Sequence, residues 1–268
     1  MILKNKYIIG THIMFYEIEM VKEHIQSIIN AAENVDNKEN ITIKLFFNIS
    51  EYFERVNVKE ISHNQLKDKF IELVDSLTDV NLKVDYEIYE DDNAPVTMVD
   101  FRRDLNYHGC KYNDYIIWGE SDSLLPRELF NALETIKEYA SSQGIYRYVT
   151  TFAIRKMWDD SWKPLEHVDF TDKPLLQKKL PDGSLNEEAF KTPHSIHYSM
   201  SNDEMNEINS KVTEFDVRMI QHPQFDGSGL VLTSDLIKNG VNVPHCIMGH
   251  LVDDTSMMYS CEQIMGDA

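Results

Sequence analysis

The stretch Asp114-Tyr-Ile-Ile-Trp-Gly-Glu-Ser-Asp-Ser-Leu-Leu-Pro126 decides the fold. Tyr115 to Trp118 is a short apolar run, the pattern of a buried strand. It ends in an acidic turn, where Glu120 and Asp122 stand two residues apart, and Pro126 opens a new helix over 127–141. Open α/β sheets bind ligands at the carboxyl ends of their strands. An acid-x-acid pair at such an end can hold Mg²⁺ or Mn²⁺, because hard cations take oxygen ligands and keep positions open for substrate phosphates. The plain alternative is a solvated acidic loop with no ion.

Working outward, the chain repeats strand, turn and helix. Lys6 to Gly10 is a short strand, followed by Thr11-His12 and a helical pattern from Glu17 to Ala32, with Ile18, Val21, Ile25, Ile28 and Ile29 on one face. Ile41 to Phe47 predicts a second strand, and Ser62 to Leu77 a helix with Ser62 as a candidate N-cap. Leu82 to Tyr89 alternates as a strand, and Val96 to Tyr107 reads as a helix carrying Arg102 and Arg103. This βαβαβαβ order predicts an α/β fold with a mostly parallel central sheet covered by helices. A strand is expected over 144–154, an irregular, proline-bearing region over 158–192, and a short helix over 202–209. Asp226-Gly-Ser-Gly229 leads into the apolar run Leu230-Val-Leu232 and a helix closing near Gly240. A second acidic pair, Asp253-Asp254, begins a last helix.

Composition narrows the classes. With 45 Asp and Glu against 26 Lys and Arg the net charge is −19, which repels duplex nucleic acid and anionic membranes. No run approaches the ~20 apolar residues of a membrane span. Cys110, Cys246 and Cys261 are odd in number and scattered, with neither zinc spacing nor a disulfide framework. Together with a first segment that lacks a signal-peptide pattern, this gives a cytoplasmic expectation.

The order of these landmarks resembles the family 2 nucleotide-sugar glycosyltransferases of the GT-A fold. The matching segments are Ile8-Ile-Gly-Thr11, Phe46-Phe-Asn48-Ile-Ser50, Asp100-Phe-Arg-Arg-Asp104-Leu-Asn106, Glu120-Ser121-Asp122, Asp226 to Asp235, and Asp253-Asp254-Thr255. Asn48 stands where the family usually has Asp, and Glu120 lengthens the first acid of its Asp-x-Asp. The resemblance implies a single GT-A-like domain over 1–268. Residues 1–126 would be the nucleotide-sugar-binding half, with a Rossmann-like order, and 127–268 the acceptor half.

The resemblance also implies roles. Thr11 and Asn48 would meet the nucleotide, with a UDP-sugar as the favoured donor. Glu120, Ser121 and Asp122 would form the donor and metal turn. Mn²⁺ or Mg²⁺ would sit on Glu120 and Asp122, with His250 or His245 as a candidate third ligand. Arg102 or Arg103 would neutralise the diphosphate. The two are adjacent on a helix, about 100° apart, so at most one faces the site, and a surface ion pair with Asp100 or Asp104 is the competing reading. Asp254 would be the general base of an inverting transfer, with Asp253 capping or orienting. His222 and Asp226, and the aromatic residues Trp158, Trp162 and Tyr198, are candidates for acceptor or sugar contacts, or for core packing. Rival readings are a nucleotidyltransferase, a non-catalytic binding protein on a degenerate transferase fold, and a nucleic-acid-modifying transferase. The first would normally show a Gly-rich basic phosphate loop after its first strand, and Gly10-Thr-His-Ile-Met is not one.

Overall fold

A computed structural model describes residues 1–50, 62–91, 93–94, 96–151, 229–245 and 253–265. The expectations over 158–192 and 202–209, and the sites at His222, Asp226 and His250, lie outside the described residues. Strands β1 (Tyr7–Met14), β2 (Ile41–Asn48), β3 (Lys83–Tyr89), β4 (Tyr115–Gly119), β5 (Val149–Thr151) and β6 (Leu230–Thr233) form one sheet in the order β3-β2-β1-β4-β6-β5. The β3-β2-β1-β4 run is parallel, while β6 is antiparallel to both β4 and β5. This is the mostly parallel, helix-flanked α/β sheet expected of a GT-A-like fold.

Helices α1 (Val21–Ala32), α2 (His63–Asp79), α3 (Met98–Gly109), α4 (Leu129–Ser142), α5 (Ser234–Lys238) and α6 (Asp253–Met265) accompany the strands. Alternation along β1 sends Tyr7, Ile9 and Ile13 into one core, with α1, α2 and α4, and Ile8 into a second core with Leu105 of α3 and Leu236 of α5. Apolar cores on both faces explain why β1 and β4 are buried almost throughout, as parallel sheets require. The second core brings α3 hard against β1: a Cβ on Gly10 would stand 2.3 Å from Leu105 Cδ2.

Local capping rules hold at two of the helix starts. The Ser62 hydroxyl accepts from Gln65 N at 3.3 Å while the Gln65 side chain answers at Ser62 N, a capping box that starts α2 where the sequence places it. Thr97 and Asp100 do the same for α3. Two boundaries differ: the strand expected over 144–154 begins only at Val149, and β1 ends later than expected. β1 runs on past Gly10 to Met14, because β2 supplies a partner as far as Asn48, so Thr11 and His12 lie in the strand and α1 begins only at Val21. A 3₁₀ turn, Phe15–Glu17, fills the gap. Among the described residues no helix is long and apolar enough to cross a membrane.

Candidate active site

The acidic turn follows β4 at the carboxyl end of the parallel strands, as the sequence predicts, and it is braced from within and from behind. Glu120 N donates to Ser123 Oγ at 3.1 Å, and both Ser123 N and Ser123 Oγ donate back to the Glu120 carbonyl. From behind, α1 supplies two grips. Ser27 Oγ accepts from Leu125 N at 3.0 Å, and His24 Nδ1 lies 2.8 Å from the Ser123 carbonyl oxygen. A carbonyl can only accept, so His24 carries its proton on Nδ1. Its Nε2, 3.0 Å from Thr11 Oγ1, then accepts from the Thr11 hydroxyl. Burial lowers the His24 pKa to about 4, so the ring is neutral and this tautomer is fixed.

Glu17 stands beside the same turn. Its carboxyl accepts from Met14 N at 2.8 Å and hydrogen-bonds Ser121. Burial first, then the charges of Asp122 and Glu120, push its pKa up to about 8, so at neutral pH it is mostly a carboxylic acid. Glu17 and His24 are not among the site residues expected from the sequence. The available signal was a polar residue at a position that the α1 periodicity, or the turn before it, buries.

Arg102 is the centre of the site. Its side chain is 3% exposed, and it donates through Nη2 to Glu120 Oε1 at 2.5 Å and through Nη1 to Asp253 Oδ2. The face of Trp118 flanks it, with Cζ 4.7 Å from the ring centroid, and Trp118 Nε1 is fixed by donating to Asn106 Oδ1 at 2.9 Å. Burial alone would lower the Arg102 pKa, but Glu120 and Asp253 outweigh it and hold the pKa above its ordinary value. Arg103 points elsewhere. It pairs with Asp100 at 2.8 Å and donates to the carbonyls of Val243 and Pro244 at 3.1 and 2.8 Å. The two adjacent arginines are therefore divided as helix geometry requires: one joins the acidic turn to α6, and the other holds the segment before residue 245.

Asp253 opens α6 and is buried against Arg102. Asp254 is half-buried and accepts from Thr255 N at 2.6 Å. Asp253 and the Glu120-Ser121-Asp122 turn, read separately from distant parts of the sequence, thus meet through one guanidinium. Thr11 and Asn48 are both buried, and their polar atoms are engaged inside the protein. Thr11 bonds His24, while Asn48 Nδ2 donates to the Val96 carbonyl at 3.1 Å and its Oδ1 accepts from Ser50 N and Oγ. His12, one residue beyond Thr11, stacks on Phe46 at 5.4 Å, and among the described residues neither ring nitrogen makes a well-formed hydrogen bond, the Val96 backbone being a polar neighbour. Burial, with the Arg102 charge adding, lowers its pKa to about 4, and the adjacent Val96 backbone offsets only part of this.

Among the described residues no three His, Cys, Asp or Glu side chains are already arranged around a cation position. The donor set still suits one of a particular kind. Mg²⁺ is commonly held by one or two carboxylates plus substrate phosphates, and Asp122 with Glu120 would supply those carboxylates at a strand end.

No family model and no curated protein matches the sequence. Among solved structures, the chain is similar to the crystal structure of S. aureus TarS residues 1–349, with a TM-score of 0.46 and 9% identity, over 97% of this chain and 55% of that one. The chain thus spans about half the length of that structure, and a likeness so distant leaves the residue roles to the geometry of this chain.

Proposed function

We propose that this chain is a glycosyltransferase that takes a sugar from a nucleotide-sugar donor, a UDP-sugar in the favoured reading, and passes it to an acceptor hydroxyl. The observation that carries the proposal is the joining, through Arg102, of an acidic strand-end turn to the helix start that bears Asp253 and Asp254. In this reading the nucleotide lies over the carboxyl ends of β1 and β2, where Thr11 and Asn48 shape the floor from within. Asp122, with Glu120, faces the diphosphate. Glu120 and Asp253 share one guanidinium there, and Asp122 and Asp254 adjoin them in sequence, so a dianionic diphosphate would meet an excess of carboxylates. A divalent cation, Mn²⁺ or Mg²⁺, would reverse that sign and stabilise the charge that builds on the leaving phosphate. Asp122 and Glu120 would hold it. Asp254 then takes the proton from the acceptor hydroxyl, and Asp253 orients the helix start.

One observation favours a second reading. Glu120 is committed to Arg102, and Thr11 and Asn48 are bonded internally, which also suits a non-catalytic protein that binds nucleotide sugars without transferring them. A thermal-shift screen of UDP-sugars with Mn²⁺ tests both. A bound donor at a hundred times its Kd stabilises by about 2.7 kcal/mol, so a clear rise in Tm is expected with at least one of them. Release of free sugar and UDP then separates the enzyme from the binder. A chain whose Tm no nucleotide sugar moves, with or without Mn²⁺, is neither.

A further inference from the structure

Arg102 or Arg103 is expected from the sequence to neutralise a diphosphate, but the surroundings of Arg102 suit another role. The guanidinium is almost wholly buried and sits between two carboxylates that come from different parts of the chain, Glu120 after β4 and Asp253 at the start of α6. Glu120 lies 18 residues from Arg102 in sequence and Asp253 lies 151 away. The rest of the surround is equally fixed. Trp118 covers one face of the guanidinium, Asn106 pins Trp118, and the second Asn106 polar atom, Nδ2, bonds Asn242 at 2.9 Å. Asn242 in turn donates to the Arg103 carbonyl at 3.2 Å. Among the described residues Asp254 is bonded only by Thr255, the next residue.

We infer that Arg102 is a positioning residue: one planar fork bonds the acidic turn and the first residue of α6 together and so sets where Asp254 stands relative to Glu120-Ser121-Asp122. The inference rests on the transferase reading for the role of Asp254, whereas the tie itself is a matter of geometry. Arginine suits the task because its two Nη groups can serve two acceptors at once from a rigid plane, and a lysine ammonium on a flexible stem cannot hold both with the same spacing. Since the guanidinium is buried and its charge is already matched by two protein carboxylates, Arg102 is poorly placed to bind phosphate. Donor affinity should therefore depend on it weakly, and turnover strongly.

The test compares Arg102→Lys, Arg102→Gln and Asp253→Asn with the unmodified chain. It uses hydrogen exchange at the α6 amides, calorimetric binding of UDP with Mn²⁺, and the rate of donor hydrolysis or transfer. The expected result for Arg102→Gln is faster exchange over residues 254–258 with β1 and β2 unchanged. UDP affinity should stay within threefold, and turnover should fall at least a hundredfold. Arg102→Lys should recover part of the turnover, and Asp253→Asn, which keeps a neutral acceptor for the guanidinium, should loosen α6 less than Arg102→Gln. Arg102→Gln removes the cation that Glu120 and the buried Asp253 share, so if it does not fold, Arg102→Lys and Asp253→Asn carry the test. UDP binding that drops tenfold or more while α6 exchange stays as in the unmodified chain would overturn the inference and make Arg102 a donor ligand. If the unmodified chain binds no UDP and turns over no donor, the transferase reading falls, and the α6 exchange still decides whether Arg102 ties the helix.

Discussion

His24 and Ser123, 99 residues apart in sequence, are joined by a 2.8 Å bond from the imidazole Nδ1 to the Ser123 carbonyl oxygen, which fixes the acidic turn to α1. Through its other nitrogen the same ring takes the Thr11 hydroxyl, so a neutral histidine links a strand, a helix and the turn that carries Glu120 and Asp122. His24→Ala leaves a buried hydroxyl and a buried carbonyl without partners, and also a void. A loss of about 2–4 kcal/mol in unfolding free energy is expected, measured by urea denaturation. The stretch 119–125 should show faster hydrogen exchange than in the unmodified chain.

Protonation of the buried histidines sets the acid limb of stability. His12 and His24 both have folded-state pKa values lowered to about 4, against an ordinary 6.5. Between these values the unfolded chain binds the protons and the folded chain does not. Each ring therefore contributes stability that is present above pH 6.5 and is lost as pH falls toward 4. His12→Phe, which replaces a buried polar ring by an apolar one beside Phe46 and Phe101, should flatten the decline between pH 6.5 and 4. An unchanged slope for the variant in urea titrations across that range would contradict the burial argument.

Glu17 acts with the opposite sign. Its pKa is raised from 4.5 to about 8, so the folded chain holds a proton that the unfolded chain has released. Its contribution falls as pH rises from about 4.5 to 8. Glu17→Gln keeps the hydrogen-bonding shape without the titration. It should gain stability relative to the unmodified chain as pH rises through that window, which thermal unfolding at pH 5, 7 and 8.5 would show.

Gly119 closes β4 where three elements converge. A Cβ there would lie 2.4 Å from Thr11 Oγ1 and 2.7 Å from His24 Nε2, and His24 is itself pinned to Ser123. Gly119→Ala is expected to cost about 1–3 kcal/mol by overpacking. It should also weaken nucleotide binding if the turn carries the donor site. Denaturation and calorimetry on the same sample would check both.

The parts of this molecule that are local in sequence were legible in it. Tyr115 to Trp118 is apolar at every position, so its burial and its strand could be read directly, and the Ser62 cap needs only residues within one helical turn. The end of β1 was not legible, because it is set by where β2 stops offering partners, a tertiary fact. Two arginines in succession could be divided between site and surface only in principle. The choice of Arg102 depends on Glu120 and Asp253, which the chain brings to it from far away in sequence. Likewise, the polar residues Glu17 and His24 interrupt a hydrophobic pattern as if by accident until their partners at Ser121 and Ser123 are in place. Roles that depend on a single long-range contact leave almost no mark on local spacing.

The central claim is that the acidic turn after β4 binds a nucleotide diphosphate together with a divalent cation, and Asp122 is where that claim is most exposed. The decisive measurement is calorimetric titration of UDP into the chain and into Asp122→Asn, each with Mn²⁺ and with chelator. Binding to the unmodified chain should require Mn²⁺ and should weaken at least tenfold in Asp122→Asn, on the order of 1.4 kcal/mol or more. Equal UDP affinity in all four titrations, or no binding in any of them, would contradict it.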